Sequence, residues 1–142
     1  MRNARHALVL AVFAGMGALA SACSGSGSSD AIDVSLSDGD ITMASTEIAA
    51  GDVTFAATNE GSSVHEMEIF TVPEGVDAAS LEVTDNVADT DGAGMRVVDE
   101  VEDIAPSTTA ELTVNLDPGA YAVICNLPGH YAQGMVAGFT VA

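Results

Sequence analysis

Lysine and tryptophan are absent, and the only cations are Arg2, Arg5 and Arg96, set against twenty-one Asp and Glu in 142 residues for a formal net charge of −18. So few cations cannot release counterions from phosphates, and such an acidic surface is repelled by anionic lipid headgroups. Nucleic acid and bare membrane are thereby excluded as partners. Two cysteines, Cys23 and Cys125, are too few for a disulfide scaffold, and four prolines too few for a proline-rich spacer. Past the N-terminal leader no apolar run is long enough to cross a bilayer, and no internal repeat is present. What is there is a 48% hydrophobic composition over the length of one ordinary domain, enough to build a core and to exclude charge-driven disorder.

The leader comes first. Met1 to His6 carries Arg2 and Arg5, and Ala7 to Ala20 holds no charge, so residues 1–22 read as a secretory signal peptide. Leu19-Ala20-Ser21-Ala22 runs directly into Cys23 and resembles the lipobox at which bacterial lipoproteins are cleaved and acylated, although Ala20 stands where Leu is commonest. An ordinary cleaved signal is the alternative. Either way the chain is exported, to the outer face of the cell membrane as a lipoprotein or to the periplasm or exterior. Residues 23–30 then form the lipidated cysteine and a flexible Gly/Ser tether, and the folded domain spans 31–142. Loss of the leader removes two of the three arginines and leaves Arg96 against all twenty-one acids, a net charge of −20 for residues 23–142.

From Ile32 onward, short alternating segments are broken by Gly, Asp, Asn and Pro, the pattern of strands. The clearest are Ile32 to Leu36, Val53 to Thr58, Val64 to Val72, Ala110 to Leu116, Tyr121 to Cys125 and Met135 to Val141. Ala110, Leu112, Val114 and Leu116 share one face, and Glu111, Thr113 and Asn115 the other. An all-β sandwich is expected. Residues 73–105 are acidic and lack sustained periodicity, and they read as an irregular excursion with one helical turn near Ala78 to Glu82 and a strand near Arg96 to Val98.

Chemistry concentrates in Cys125-Asn-Leu-Pro-Gly-His130-Tyr-Ala-Gln-Gly-Met135, which sets thiol, imidazole and thioether at five-residue intervals. Cys125 closes one strand on the face of Tyr121 and Val123, and Met135 opens the next on the face of Phe139 and Val141. Pro128-Gly129 supplies a bend that returns His130 towards Cys125. His65, the only other histidine after the leader, alternates in phase with Met67 and Ile69 and opposite Glu66 and Glu68, so it points into the same interior. Taken singly, a buried Cys or Met is ordinary packing and a strand His an ordinary hydrogen-bonded residue. Jointly they make two imidazoles, a thiolate and a thioether, the donor set of an electron-transfer copper site. Zinc is the weaker alternative, because thioether is a poor zinc ligand.

With this loop, the Asn59-Glu-Gly-Ser-Ser-Val-His65-Glu segment, the Asp117-Pro-Gly-Ala-Tyr-Ala-Val-Ile-Cys125 approach and the closing Gly134-Met-Val-Ala-Gly-Phe-Thr-Val141 strand, the sequence resembles the cupredoxins, the small blue type 1 copper proteins. The Cys-x4-His-x4-Met spacing is similar to that of rusticyanin and sulfocyanin, whereas plastocyanin and azurin loops are shorter in one half. The resemblance covers about Ile32 to Ala142 and is thin between Pro73 and Ala105. It implies a Greek-key sandwich of about eight strands with one copper ion at one end, held equatorially by His65, Cys125 and His130 and axially by Met135. It also places Asn59 and Glu66 around those ligands. Plastocyanin and azurin carry Asn after the first histidine, whose amide ties the ligand loops together near the sulfur. Glu66 stands there and cannot supply that side-chain donor.

The family resemblance further implies that electrons leave through His130, framed by an apolar docking patch of Leu127, Pro128, Tyr131, Val136 and Ala137. The expected function is one-electron transfer between partners outside the cytoplasmic membrane, not enzymatic catalysis, by a monomer that meets the membrane only through its lipid. Its acidity favours a basic partner such as a c-type cytochrome or a terminal oxidase domain, or else serves solubility. A copper chaperone or storage lipoprotein delivering metal to an oxidase is the alternative function. A multicopper enzyme is disfavoured by the scarcity of histidine.

Overall fold

Alternation becomes pleat in β9 (Thr109–Leu116), where Val114 and Leu116 are buried while Glu111, Thr113 and Asn115 are exposed. In the computed structural model, which describes residues 31–142, the same rule generates the other long strands. The segments expected to be a signal peptide, a lipidated Cys23 and a Gly/Ser tether lie outside the described residues. β1 (Ile32–Ser37), β2 (Asp40–Met43), β4 (Gly51–Asn59) and β9 form one sheet in the order β2-β1-β4-β9. β3 (Glu47–Ile48), β5 (His65–Thr71), β8 (Arg96–Ile104), β10 (Gly119–Ile124) and β11 (Val136–Val141) form the other, in the order β3-β11-β10-β5-β8. β1 runs parallel to β4 and β3 to β11, and the remaining pairs within these sheets are antiparallel. The chain passes from one sheet to the other between β2 and β3, β3 and β4, β4 and β5, β8 and β9, and β9 and β10. This is the all-β sandwich expected, with the short β2 and β3, and β8 at the strand expected near Arg96, joining the six segments read from alternation.

Between the sheets Phe139 packs on two aromatic partners. Its ring stacks on Tyr121 at 5.4 Å and tilts against Phe55 at 5.7 Å, contacts that contribute about 1 kcal/mol each beyond their buried area. The Tyr121 hydroxyl donates to Asp117 O at 2.8 Å and anchors the tight turn that opens β10. His65, Met67, Ile69, Val123, Cys125 and Met135 are all buried in this interior, so the strand phases assigned from sequence correspond to real faces.

The 73–105 segment departs from the expected irregular excursion. Its first part folds over the outer face of the second sheet and makes a second apolar cluster of Phe70, Ala78, Ala88, Met95, Ala122, Ile124 and Tyr131. The short 3-10 turn Ala78–Ser80 is capped by Asp77 Oδ1, which accepts from Ala79 N at 3.0 Å. β6 (Val83–Thr84) and β7 (Val87–Ala88) form a ribbon whose turn, Asp85-Asn86, has φ of 53° and 68°. Both values are positive, as a type I′ hairpin demands, and Asp and Asn tolerate them best among residues with a Cβ. The strand near Arg96 extends through Ile104 as an edge strand. Its acids hide it from periodicity, because only Ile104 of its nine residues is buried.

Candidate metal centre

The two loops that meet at one end of the sandwich are shaped by different residues. Asn59, fully buried at the end of β4, donates through Nδ2 to Ser63 O and Ile104 O, each at 2.8 Å, and accepts from Gly61 N at 2.8 Å. It therefore fixes the loop that delivers His65. In the second loop Gly129 and Gly134 take φ of 88° and 117°, a region open mainly to glycine. Their reversal lets Cys125 N donate to Met135 O at 3.2 Å and Met135 N to His130 O at 3.3 Å. Cys125, Met135 and His65 are at most 1% exposed, whereas His130 is half-buried.

His65 Nδ1 lies 3.1 Å from His130 Nδ1, and Cys125 Sγ lies 3.3 Å from His130 Nδ1 and 3.9 Å from His65 Nδ1. The centre of such a triangle is about 2 Å from every corner, which matches metal bonds to imidazole and comes close to those to thiolate. Two imidazole lone pairs facing one another at 3.1 Å repel unless a proton or a cation lies between them. The donor chemistry thus fits a metal, and two imidazoles with one thiolate and a neighbouring thioether suit copper. Residues 7–137 match the cupredoxin-like domain family. The chain belongs to that family. Comparison with curated proteins gives no match. Among solved structures, dithionite-reduced auracyanin from Roseiflexus castenholzii is similar at TM-score 0.54 and 20% identity, over 78% of this chain and 94% of that one. Auracyanin A, a "blue" copper protein from Chloroflexus aurantiacus, is similar at TM-score 0.51 and 21% identity, over 78% and 99%. A methionine-to-glutamine mutant of rusticyanin is similar at TM-score 0.53 and 20% identity, over 78% and 76%.

In this cupredoxin, burial pushes the Cys125 thiol up, opposed by N–H donors of Glu66 and Leu127. The buried thiol keeps its proton until a metal displaces it. Burial, and then His130, push His65 down, so its ring is neutral and able to ligate. Glu66 takes a role the sequence did not suggest. Its main-chain N–H points to Cys125 Sγ at 3.5 Å, and its carboxylate accepts from Asn126 N at 3.0 Å. The loops are tied together, with the sulfur contact supplied by the main chain and the tie by the carboxylate.

The ligand loop is clamped on both flanks. On one, the β6–β7 ribbon offers Asn86 O to Gly129 N at 2.7 Å, and Ala88 pairs with the Asn126 amide at 2.7 and 3.2 Å. On the other, the β1–β2 turn meets the loop backbone so closely that a Cβ on Gly134 would lie 2.6 Å from Gly39 O. That turn also carries Asp38, whose Oδ1 faces His65 Nε2 at 3.2 Å. The side chains of Asp38 and Asn126 and the two turns were missed in the sequence. The Asp38-Gly39 and Asp85-Asn86 dipeptides were the available signals, since each marks a hairpin turn.

The apolar patch expected around His130 is smaller than supposed. Tyr131 is buried, and its hydroxyl donates to Ala78 O and accepts from Leu81 N, both at 2.8 Å. Val136 is half-buried against the second cluster, and Leu127 and Ala137 are half-buried against the first. Pro128 alone of the five is exposed. The 3-10 turn Tyr131–Gln133 rotates Tyr131 inward, an orientation that strand parity cannot foresee.

Proposed function

We propose that this cupredoxin is an exported type 1 copper protein that carries single electrons between redox partners, tethered outside the cytoplasmic membrane through lipid on Cys23. The observation that carries the reading is the triangle of His65 Nδ1, His130 Nδ1 and Cys125 Sγ, with Met135 buried beside it. Bound there, copper would supply a one-electron couple with no bond broken in a substrate. His65, Cys125 and His130 would hold it, and Met135 would add a weak thioether donor suited to both oxidation states.

The chain's own contribution is rigidity and a route outward. The Glu66, Asn126 and Gly134 contacts fix the ligand loops from both flanks, which limits rearrangement when the charge at the site changes. With Nδ1 turned inward, the half-buried His130 ring links the interior to the surface next to exposed Pro128. The domain's acidity favours encounter with a basic partner such as a c-type cytochrome or a terminal oxidase domain. Burial of Cys125 and Met135 opposes the easy metal exchange that delivery or storage would need.

Optical and EPR spectra of the copper-loaded domain test this reading. A strong thiolate-to-copper band that bleaches reversibly on reduction is expected. Its absence would overturn the assignment.

A further inference from the structure

His65 Nε2 is a buried polar atom with no properly aligned hydrogen-bond partner among the described residues. Its ring is 1% exposed, and the polar atom it faces is Asp38 Oδ1 at 3.2 Å, a contact short enough for strong attraction but bent from ideal alignment. Asp38 does not arrive there loosely. Its Oδ2 accepts from Ser62 N at 2.9 Å and Ser62 Oγ at 2.6 Å, and its Oδ1 accepts from Ser63 N at 3.3 Å. Those donors, the Ser62 hydroxyl first, hold its carboxyl well below the usual carboxylate range.

Gly61 is a separate witness to the contact. A Cβ there would lie 2.6 Å from Asp38 Oδ1 and 2.7 Å from His65 Nε2, yet Gly61 has an ordinary φ. Its lack of a side chain is required by the close approach of these two groups and not by backbone strain. The β1–β2 turn is itself seated on the ligand loop through Gly39 and Gly134, so Asp38 is presented from a fixed platform.

We propose that Asp38 is the positioning residue of the first histidine, holding His65 as the Nε2–H tautomer with Nδ1 free for metal and, through its fixed negative charge, favouring Cu(II) over Cu(I). The second half rests on the copper reading above; the first does not. A carboxylate on the far nitrogen of a ligating imidazole fixes the tautomer and makes the ring a stronger donor, which stabilises the more highly charged metal.

The test compares Asp38→Asn, Gly61→Ala and Asp52→Asn, the last removing the same charge at the opposite end of β4. Nitrogen-15 NMR of the metal-free protein reads the His65 tautomer, and redox titration of the copper-loaded protein reads the potential. Wild type should be the Nε2–H tautomer without metal. Asp38→Asn keeps an acceptor but loses the charge, so it should retain that tautomer and shift the equilibrium towards Cu(I) by about tenfold, equivalent to about 59 mV for one electron. Gly61→Ala keeps the charge but wedges the pair apart, and should give a mixed tautomer and a raised potential. Asp52→Asn should move the potential less than about twofold in the same ratio, since charges this far apart are largely screened.

An Nδ1–H tautomer in the metal-free wild type, or equal potentials for the Asp38 and Asp52 variants, would overturn the proposal. A protein without a thiolate-to-copper band that still holds the Nε2–H tautomer would overturn the copper reading and leave the positioning role standing.

Discussion

Tyr131→Phe separates an anchor from a docking residue. The ring stays in the second cluster with Phe70, Met95, Ala122 and Ile124, so packing is preserved and only the hydroxyl is lost. Two hydrogen bonds of 2.8 Å go with it, one to Ala78 O and one from Leu81 N. At about 1 kcal/mol each, and with a part-buried Leu81 N–H left without its acceptor, the cost is about 2–3 kcal/mol. For a domain of this size that lowers Tm by about 8 °C. Urea unfolding followed by far-ultraviolet circular dichroism should show a lower midpoint at constant slope. Electron exchange with a redox partner, measured well below the transition, should match wild type, because a buried hydroxyl touches no partner. A stability change under about 0.5 kcal/mol combined with slower exchange would refute the reasoning and return Tyr131 to the docking surface.

Three further outcomes follow from other parts of the molecule. Burial first, then Glu66 and a hydrogen bond to Glu100, raise the Glu68 carboxyl to about 7, and its Oε2 has no partner among the described residues. The folded state therefore holds a proton that the unfolded chain releases near pH 4.5, and stability falls as pH rises from there to about 7. Glu68→Gln should raise Tm at pH 8 and give no gain at pH 4; an equal gain at both would exclude titration of Glu68 as the cause. Cys125→Ser should abolish the visible thiolate band while leaving far-ultraviolet circular dichroism intact, and retention of the band would remove Cys125 from the ligand set. If acidity steers docking, the association rate with a basic c-type cytochrome should fall steeply between about 10 and 150 mM salt, whereas a flat profile would assign the charge to solubility.

The ligands were legible because each obeys a rule with a short reach. Strand parity put His65 in phase with Met67 and Cys125 in phase with Val123, and burial of all four follows from that phase. Glycine and proline marked the loop that returns His130. The surroundings of the ligands obey no such rule, because they depend on chain segments brought together by the sandwich. Asp38 stands twenty-seven positions before His65, and Asn86 forty-three before Gly129. Neither has a periodic neighbour that announces it. Residues 73–95 looked irregular for a related reason: their apolar residues face the outside of a sheet that the sequence presents as a sandwich with one interior. β10 shows the difference, since Tyr121 and Val123 enter the first cluster while Ala122 and Ile124 enter the second. A strand buried on both faces loses its alternation, and the run from Tyr121 to Cys125 is apolar throughout. That unbroken run just before the cysteine is the sequence trace of the covering segment. It marks where the ribbon comes to lie against the ligand loop, and it makes the excursion part of the metal centre's support.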